Sequence, residues 1–243
     1  MKRLEVFIVI SVLILAIGLS AFIANRQQDD RFVSYIVDPK KQDLKLYWQN
    51  NKSENFGSIG NLRTWLETHK RRLIFAMNGG MYKPDGSPQG LFIENGKVLS
   101  PLDTSAGGGN FYLKPNGVFY LTTNNVPGIC LTEKFHGSSK IKYATQSGPM
   151  LIVDGQMHPA FKQGSQNLNI RNGVGLLTDG RVVFAMSKQA VNFFDFASYF
   201  KSLGCKNALY FDGLVSRTYL PEKSWTQTDG NFGVIVGVTI SSD

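Results

Sequence analysis

The sequence predicts an α+β fold in which a mixed, largely antiparallel sheet packs with helices. The 25 glycines and 9 prolines among 243 residues are typical of a chain with many turns between strands, and a hydrophobic content of 42% can build a substantial core. Asn-Gly or Asp-Gly steps lie between apolar runs at 95–96, 116–117, 154–155 and 179–180, and such a step is a strong hairpin signal. No linker interrupts the chain after residue 31, so we expect one domain over 32–243.

Residues 1–31 form a separate N-terminal segment. Lys2 and Arg3 precede an apolar run over 6–24 that is long enough to cross a bilayer at about 1.5 Å per residue. A basic start followed by an apolar stretch also resembles a secretory signal. Both interpretations place the domain outside the cytoplasm. It is membrane-anchored through residues 4–24 if the segment is retained, and secreted or periplasmic if the segment is cleaved.

The first part of the domain shows two strands, a helix and a third strand in its pattern. Apolar residues alternate over 32–37 and 44–48 on either side of Asp38-Pro39-Lys40-Lys41, which predicts a hairpin. Ser58 is a suitable N-cap for a helix that ends near the basic run 70–72. The apolar face of this helix comprises Ile59, Leu62, Trp65 and Leu66. A buried strand follows over 73–77.

The clearest helix lies near the end of the chain. Asn192 is a suitable N-cap, and Gly204 is a suitable stop. The apolar face between them comprises Phe193, Phe196, Ala197, Phe200 and Leu203. We interpret that face as core rather than as a cofactor site. The runs over 207–213 and 232–240 predict the closing strands.

Charge and cysteine content restrict the classes of partner and metal. The formal net charge of +8 fits either an anionic partner or a generally basic surface. The sequence has no long Lys/Arg cluster and no nucleic-acid motif, so we expect no nucleic-acid partner. Cys130 and Cys205 show neither Cys-x-x-Cys nor Cys/His spacing, which argues against zinc. In an exported chain they form either one disulfide or two buried thiols.

Four predicted strands end on polar steps flanked by glycine. They are Asn78-Gly79-Gly80, Gln146-Ser147-Gly148, Arg171-Asn172-Gly173 and Asp212-Gly213. Glycine lets backbone approach a ligand closely, and polar groups carried at strand ends by a rigid sheet suit binding or catalysis. An arginine, a carboxylate, amides and backbone N–H groups can together bind phosphate. Each step alone is more often an ordinary turn.

Six segments, in order, resemble the phosphodiester glycosidase domain family, which includes the enzyme that uncovers mannose 6-phosphate. They cover most of residues 70–240, and the similarity is greatest to a bacterial exported branch that was formerly a domain of unknown function. The segments are "MNGGMYKPDGSPQGLFIENGKVLSPL", "GGGNFYLKPNGVFYL", "ATQSGPMLIVDGQMHPAF", "NIRNGVGLLTDGRVVFAMS", "VNFFDFASYF" and "CKNALYFDGLVSRTY". Six ordered segments are far more specific than any single glycine motif.

The resemblance implies a mixed α/β fold that gathers the strand-end motifs in one cleft. It also implies hydrolysis of a sugar-1-phosphodiester to a sugar and a phosphomonoester. Two motifs depart from the family pattern. The uncovering enzyme's group carries Asp-Gly-Gly-Gly-Ser where this chain has Asp212-Gly213-Leu214-Val215-Ser216, and the family's Arg-Thr/Ser step is Arg171-Asn172 here. These departures leave the substrate and the activity open.

The resemblance places catalysis on Asp212, Arg171 and Asn78. We expect Arg171 to bind phosphate, because a guanidinium offers paired donors to phosphate oxygens. Asp212 is a nucleophile, a base that activates water, or a metal ligand. Asn78 holds a sugar hydroxyl or a phosphate oxygen. A phosphate monoester is a fair leaving group and needs no strong general acid, which fits the lack of a paired-carboxylate motif in the sequence.

The remaining candidates bind substrate or shape the rim of the cleft. They are Gly79, Gly80, Gln146, Ser147, Gly148, Asn172, Gly213, Ser216, Tyr219 and Glu94, of which Glu94 is also a lesser acid/base candidate. No cofactor is firmly implied. The oxygens of Asp212 and Asn78 suit Ca²⁺ or Mg²⁺, so a divalent cation is an option.

The sequence therefore predicts an exported hydrolase that cleaves a sugar-1-phosphodiester in envelope or extracellular glycan. Its partner is a glycan or sugar-phosphate substrate. The alternative is a non-catalytic binding protein for anionic envelope polysaccharide on the same fold, which the altered glycine run after Asp212 favours. A third alternative is a scaffold for envelope assembly in which the membrane segment is the working part.

Overall fold

The computed structural model describes residues 29–213 and 215–242. Arg31–Asp243 form one compact unit. The predicted membrane or signal segment over 4–24 lies outside the described residues. Neither helix in the described part of the chain has the length and apolar character needed to cross a membrane.

The described residues form three antiparallel sheets and two α-helices. The strands in chain order are β1 (Phe32–Val37), β2 (Asp43–Tyr47), β3 (Arg71–Asn78), β4 (Phe92–Glu94), β5 (Lys97–Ser100), β6 (Gly117–Thr122), β7 (Pro127–Leu131), β8 (Ile141–Ser147), β9 (Met150–Val153), β10 (Gln156–Met157), β11 (Asn172–Leu176), β12 (Val182–Ser187), β13 (Asn207–Asp212), β14 (Thr218–Leu220), β15 (Trp225–Thr226) and β16 (Ile235–Ser241). The helices are α1 (Ile59–Thr68) and α2 (Phe193–Ser202).

The strands are divided among three sheets rather than the single sheet expected. The first sheet has the order β1-β12-β11-β13-β9-β10, the second β15-β14-β3-β16-β2 and the third β5-β4-β8-β6-β7. Every strand pairing among the described residues is antiparallel. The expectation of antiparallel strands packed with helices is therefore confirmed, whereas the expectation of one sheet is wrong.

One apolar core joins the three sheets. Phe184 of the first sheet lies 5.4 Å, between ring centroids, from Phe75 of the second. It lies 5.8 Å from Phe119 of the third. All three rings belong to the same buried cluster. Because the sheets bury their inner faces against each other, strand ends from different sheets come together at the edge of this core.

Residues 38–41 form a turn but not the predicted hairpin. The Lys41 N–H donates to the Asp38 carbonyl (2.9 Å), yet β1 pairs with β12 and β2 pairs with β16. Val33 of β1 and Leu44 of β2 both belong to the shared core. The chain therefore crosses from one sheet to another, and the alternating pattern that predicts a hairpin fits this crossover equally well.

Three of the four predicted hairpin turns are confirmed. The steps at 95–96, 154–155 and 179–180 join β4 to β5, β9 to β10 and β11 to β12. The prediction for Asn116-Gly117 is wrong, because Gly117 begins β6, whose partners are β7 and β8. A Cβ on Gly117 would lie 2.7 Å from the Cys130 carbonyl. Close strand packing, and not a turn, requires glycine there.

Both predicted helices and their caps are confirmed. The Asn61 N–H donates to the Ser58 hydroxyl (3.2 Å), and α1 buries Ile59, Leu62 and Leu66. The Asp195 N–H donates to the Asn192 side chain (2.8 Å). Helix α1 packs against β3, and α2 packs against β9 and β10.

The two cysteines are free thiols, so the disulfide alternative is wrong. Cys130 is half-buried in β7, whereas Cys205 is buried beside α2. They lie in different apolar clusters. Burial raises the pKa of the Cys205 thiol to about 12, which keeps it protonated and unreactive at neutral pH.

Candidate active site

The candidate active site lies where strands from different sheets end together. Asp212 ends β13 and Asn172 begins β11. Because these strands are antiparallel, the two residues are register partners. Asn78 ends β3 in the second sheet. Its side chain reaches across to both residues of the first sheet.

A chain of amide hydrogen bonds fixes the orientation of Asn78. The Asn172 Nδ2 donates to the Asn78 Oδ1 (2.7 Å) and to the Asn78 carbonyl (2.8 Å). The Arg217 N–H also donates to the Asn78 Oδ1 (3.0 Å). With its oxygen held by two donors, the Asn78 amide must point its nitrogen the other way, and Nδ2 donates to the Asp212 Oδ2 (3.4 Å).

Asp212 presents a fixed carboxylate to a cavity. Its Oδ1 accepts from the Gly213 N–H (2.6 Å), and its backbone N–H donates to the Asn172 Oδ1 (2.9 Å). The residue is only 6% exposed, yet it lines a cavity of about 370 Å³. We call this space the Asp212 cavity. Its described lining also includes Met81, Tyr82, Lys83, Pro84, Gln89, Asn110 and Gly213.

Arg171 does not line the Asp212 cavity. Its guanidinium is fully buried and lies 3.6 Å from the centroid of the Phe193 ring. Nε donates to the Val191 carbonyl (2.8 Å), and Nη2 donates to the Asn167 carbonyl (2.8 Å) and Oδ1 (3.1 Å). Burial lowers the pKa of Arg171. The guanidinium that we predict to bind phosphate therefore donates to protein acceptors, and it is not among the described residues that line the cavity.

Tyr210 separates Arg171 from the cavity. Its hydroxyl accepts from the Arg171 Nη1 (3.2 Å) and is hydrogen-bonded to the Asn110 side chain. A Cβ on Gly213 would collide with that hydroxyl, so the glycine beside Asp212 is needed for close approach. Burial raises the pKa of Tyr210, so its hydroxyl stays neutral. Arg171 is thus hydrogen-bonded to a hydroxyl group that adjoins Asn110 and Gly213, two residues that line the cavity.

Comparison with known proteins identifies the family. The model of the phosphodiester glycosidase family matches residues 71–236, a span that contains every predicted site residue. The chain belongs to the phosphodiester glycosidase family. It is 39% identical over 188 residues to the uncharacterized protein YigE of Escherichia coli (strain K12), covering 77% of this chain and 73% of that protein.

Solved structures share the fold of this phosphodiester glycosidase domain. One is the zebrafish N-acetylglucosamine-1-phosphodiester alpha-N-acetylglucosaminidase catalytic domain, auto-inhibited by its pro-peptide. It has a TM-score of 0.58 at 14% identity and covers 88% of this chain and 85% of that one. Another is a protein of Burkholderia pseudomallei K96243 that is named as exported, with a TM-score of 0.53 at 11% identity, covering 85% and 73%. At these identities the likeness concerns the fold alone.

Gln146, Ser147 and Gly148 of the phosphodiester glycosidase domain lie beneath the site and not in the Asp212 cavity. The Ser147 hydroxyl donates to the Phe211 carbonyl (2.9 Å) and so ties β8 to the residue before Asp212. The Gln146 Nε2 donates to the Asp103 carbonyl (2.6 Å). A Cβ on Gly148 would lie 2.6 Å from the Asn116 Cβ. Ser147 therefore links the third sheet to the first, whereas Gln146 and Gly148 contact residues that adjoin strands of the third sheet.

Gly79 and Gly80 allow the end of β3 to pack closely. The Gly79 N–H donates to the Val234 carbonyl (2.8 Å). A Cβ on Gly80 would lie 2.7 Å from the Thr145 hydroxyl. Neither glycine is among the described residues that line the Asp212 cavity. The prediction that their N–H groups bind substrate stays a prediction. In the structure both glycines contact neighbouring residues of the protein.

Ser216 and Tyr219 have different surroundings. The Ser216 hydroxyl donates to the Ile170 carbonyl (3.1 Å) and the Asp212 carbonyl (3.2 Å), so it supports the segment that carries Asp212. Tyr219 packs in the apolar cluster under α1, with the Arg63 guanidinium 6.0 Å from its ring centroid. The structure therefore does not bring Tyr219 into the Asp212 cavity.

Glu94 lies in a different cavity of about 260 Å³. The described walls of that cavity include Tyr47, Trp65, His69 and Tyr143. Burial raises the pKa of Glu94 from 4.5 to about 7. A carboxyl group with this pKa is suited to proton transfer near neutral pH, but Glu94 is not brought together with Asp212.

Sequence reasoning missed Lys83, Gln89 and Asn110 in the Asp212 cavity. Lys83 and Gln89 belong to the loop "KPDGSPQG" and line the cavity. The many turn residues of this loop give no sequence signal for a binding site. Asn110 follows three glycines, a pattern that signals a loop and not a binding group. Among residues 29–213 and 215–242, no three His, Cys, Asp or Glu side chains cluster to hold a metal ion. The Ca²⁺ or Mg²⁺ option stays a prediction.

Proposed function

We propose that this protein hydrolyses a sugar-1-phosphodiester in envelope or extracellular glycan, with Asp212 as the catalytic carboxylate. The observation that carries the proposal is the environment of Asp212. Its carboxylate is held by Asn78 and Gly213, and it is the only acid among the described residues that line the cavity. The family to which the chain belongs is that of phosphodiester glycosidases.

The proposed step breaks the bond between sugar C1 and the phosphate oxygen. Asp212 takes a proton from water as the water oxygen attacks C1, or attacks C1 itself before water releases the sugar. The bonding electrons leave with the phosphomonoester, which departs as an anion. A leaving group that is already acidic needs no proton donor, which agrees with a cavity whose described lining contains one carboxylate.

The cations near the cavity stabilise the departing phosphate in this proposal. Lys83 lines the cavity directly, together with the amides of Gln89 and Asn110. Tyr210 lies between Arg171 and the cavity, so Arg171 makes no direct contact with the phosphate. It contributes positive charge and positions Tyr210 through a hydrogen bond. Charge stabilisation by groups already fixed in place costs no reorganisation during the reaction.

Export of the domain is part of the same proposal. The apolar run over 6–24 after Lys2 and Arg3 supports it. A polymeric glycan substrate outside the cytoplasm also fits an anion-attracting net charge of +8. Fractionation of cells that produce the full-length protein tests this part, and recovery in the cytoplasm would contradict it.

Turnover of a sugar-1-phosphodiester with a nitrophenyl aglycone tests the function. Cleavage at C1 yields nitrophenyl phosphate, which gives colour only after a phosphatase is added. Cleavage at phosphorus yields nitrophenol at once. We expect the wild type and the exposed hairpin variant Asp179→Asn to require the phosphatase, and Asp212→Asn to be inactive but folded. Saturable glycan binding without turnover across a sugar and metal panel would instead favour the non-catalytic binding protein.

A further inference from the structure

A second cavity adjoins the Asp212 cavity. It has a volume of about 450 Å³ and is lined in part by Phe161, Lys162, Gln163, Asn167 and Phe193. We call it the Phe161 cavity. Asn110 lines both cavities, so they meet at that side chain. Each lies within the range of about 300–1,000 Å³ typical of ligand sites, and together they have room for more than one sugar and its phosphate.

The buried Arg171 guanidinium lies close to the linings of both cavities. On one side the guanidinium contacts Phe193 and Asn167, which line the Phe161 cavity. On the other side it donates to Tyr210, whose hydroxyl adjoins Gly213 of the Asp212 cavity. A phosphate at the junction, beside Asn110, would lie next to the Tyr210 hydroxyl to which Arg171 donates.

The Phe161 cavity is built by a fixed loop. The His158 ring is buried, and its Nδ1 accepts from the Ala160 N–H (3.1 Å). Its Nε2 therefore carries the proton and donates to the Lys114 carbonyl (3.0 Å). The His158, Phe161 and Phe193 rings stack in series, with centroids 4.7 Å and 4.8 Å apart. The loop is thus tied to α2 through Phe193 and to the segment before β6 through Lys114. These contacts shape the cavity before a ligand binds.

We propose, on the basis of the proposed function, that the Phe161 cavity binds a carbohydrate aglycone on the far side of the phosphate. Amide, hydroxyl and aromatic groups in one lining suit sugar hydroxyls and sugar faces. Its described lining contains Lys162 and no carboxylate, so it suits a neutral or anionic sugar. The substrate is then an extended glycan phosphodiester that spans both cavities, with the phosphate at the Asn110 junction.

Two phosphodiesters of the same sugar test this assignment with the full-length protein. One carries a methyl aglycone and the other carries an oligosaccharide. We expect kcat/KM for the oligosaccharide to exceed that for the methyl compound about tenfold or more, the equivalent of one or two well-formed hydrogen bonds. The double variant Lys162→Ala with Gln163→Ala should bring the ratio to about one. Both side chains are exposed, so the fold should not suffer.

A matched control uses exposed residues outside both cavities. The double variant Lys40→Ala with Gln189→Ala removes the same two side-chain types and should keep the wild-type ratio. Equal kcat/KM for the two substrates would overturn the assignment, as would a preference that the Lys162/Gln163 variant retains. A lipid aglycone that outcompetes the oligosaccharide would overturn the choice of carbohydrate.

Failure of the proposed function is distinguishable from failure of this assignment. If neither substrate is turned over, the hydrolase proposal fails. The Kd values of the same two compounds, measured by calorimetry, then decide the assignment. Tighter binding of the oligosaccharide by about tenfold, lost in the Lys162/Gln163 variant, would support it. Equal Kd values would overturn it.

Discussion

The Asn78 amide nitrogen lies 3.4 Å from the Asp212 carboxylate, although the two residues end strands of different sheets. The contact exists because Asn172 and the Arg217 N–H hold the Asn78 oxygen on the opposite side. Asp212 is thereby oriented by the packing of two sheets against each other. The fold and the proposed chemistry thus depend on the same strand ends.

Asp212→Asn should lower kcat/KM about 1,000-fold, because it removes the group that accepts a proton or attacks C1. Asn78→Ala should lower kcat about 100-fold, because it removes the Asn78 amide that donates to the Asp212 Oδ2 and orients the carboxylate. Steady-state kinetics with the nitrophenyl phosphodiester measure both effects. Asp179→Asn, in an exposed hairpin, is the control. Wild-type activity in Asp212→Asn would remove the catalytic assignment.

Substitutions of Lys83 and Arg171 should have different effects, because Lys83 binds the phosphate in our proposal whereas Arg171 stabilises the fold. Lys83→Met should raise KM about tenfold through loss of a contact to phosphate, with stability changed by no more than about 0.5 kcal/mol. Arg171→Met should destabilise the fold by about 2 kcal/mol or more, because its hydrogen bonds to the Val191 and Asn167 carbonyls and its contact with Phe193 are lost. Urea denaturation and kinetics on both variants test this. An Arg171→Met protein of normal stability and raised KM would favour direct phosphate binding.

Asn172→Ala should be destabilising and partly inactivating. The substitution removes one of the two donors to the Asn78 Oδ1 and the Asn172 acceptor of the Asp212 N–H, which costs about 2 kcal/mol. It also lets the Asn78 amide rotate, so kcat should fall by more than KM changes. The free energy of unfolding and kcat are measured on the same preparation. Asn51→Ala, at an exposed residue outside both cavities, serves as a comparison, and equal losses in both would contradict a specific role for Asn172.

Much of the secondary structure was predictable because it depends on local signals. The caps at Ser58 and Asn192 and the turns at Asn95-Gly96 and Asp179-Gly180 act over four or five residues. The assignment of β1 and β2 to different sheets was not predictable, because a turn between paired strands and a turn between packed sheets have the same pattern.

The site was predictable in part for the same reason. Asn78, Asn172 and Asp212 carry polar groups after apolar runs, and the structure brings them together. The burial of Arg171 against Phe193 depends on residues 22 positions apart that only the tertiary fold places in contact. Lys83 and Asn110 lie on loops, where side-chain direction has no periodicity to reveal it.

Glu94 should make stability depend on pH. Its folded-state pKa of about 7 lies above the ordinary value of 4.5, so the folded protein binds more protons than the unfolded chain between these values. The free energy of unfolding should therefore decrease as pH rises from about 4.5 to about 7, by about 1–2 kcal/mol after solvent screening. Glu94→Gln should remove this decrease. Denaturation across pH measures it.

The control for Glu94 is Glu133→Gln, at an exposed position. It should retain the wild-type pH dependence of stability. Because Glu94 lies in its own cavity, Glu94→Gln should also leave kcat within about twofold of the wild type. A large loss of kcat would place Glu94 in the catalytic machinery and contradict the separation of the two cavities.

In the proposed reaction Asp212 directs hydrolysis at sugar C1. Hydrolysis of a sugar-1-phosphodiester in water carrying a heavy oxygen isotope tests it most directly, with mass spectrometry of both products. We expect the label in the hydroxyl group at C1 of the released sugar and an unlabelled phosphomonoester. Label in the phosphomonoester would mean attack at phosphorus and would rule out hydrolysis at C1.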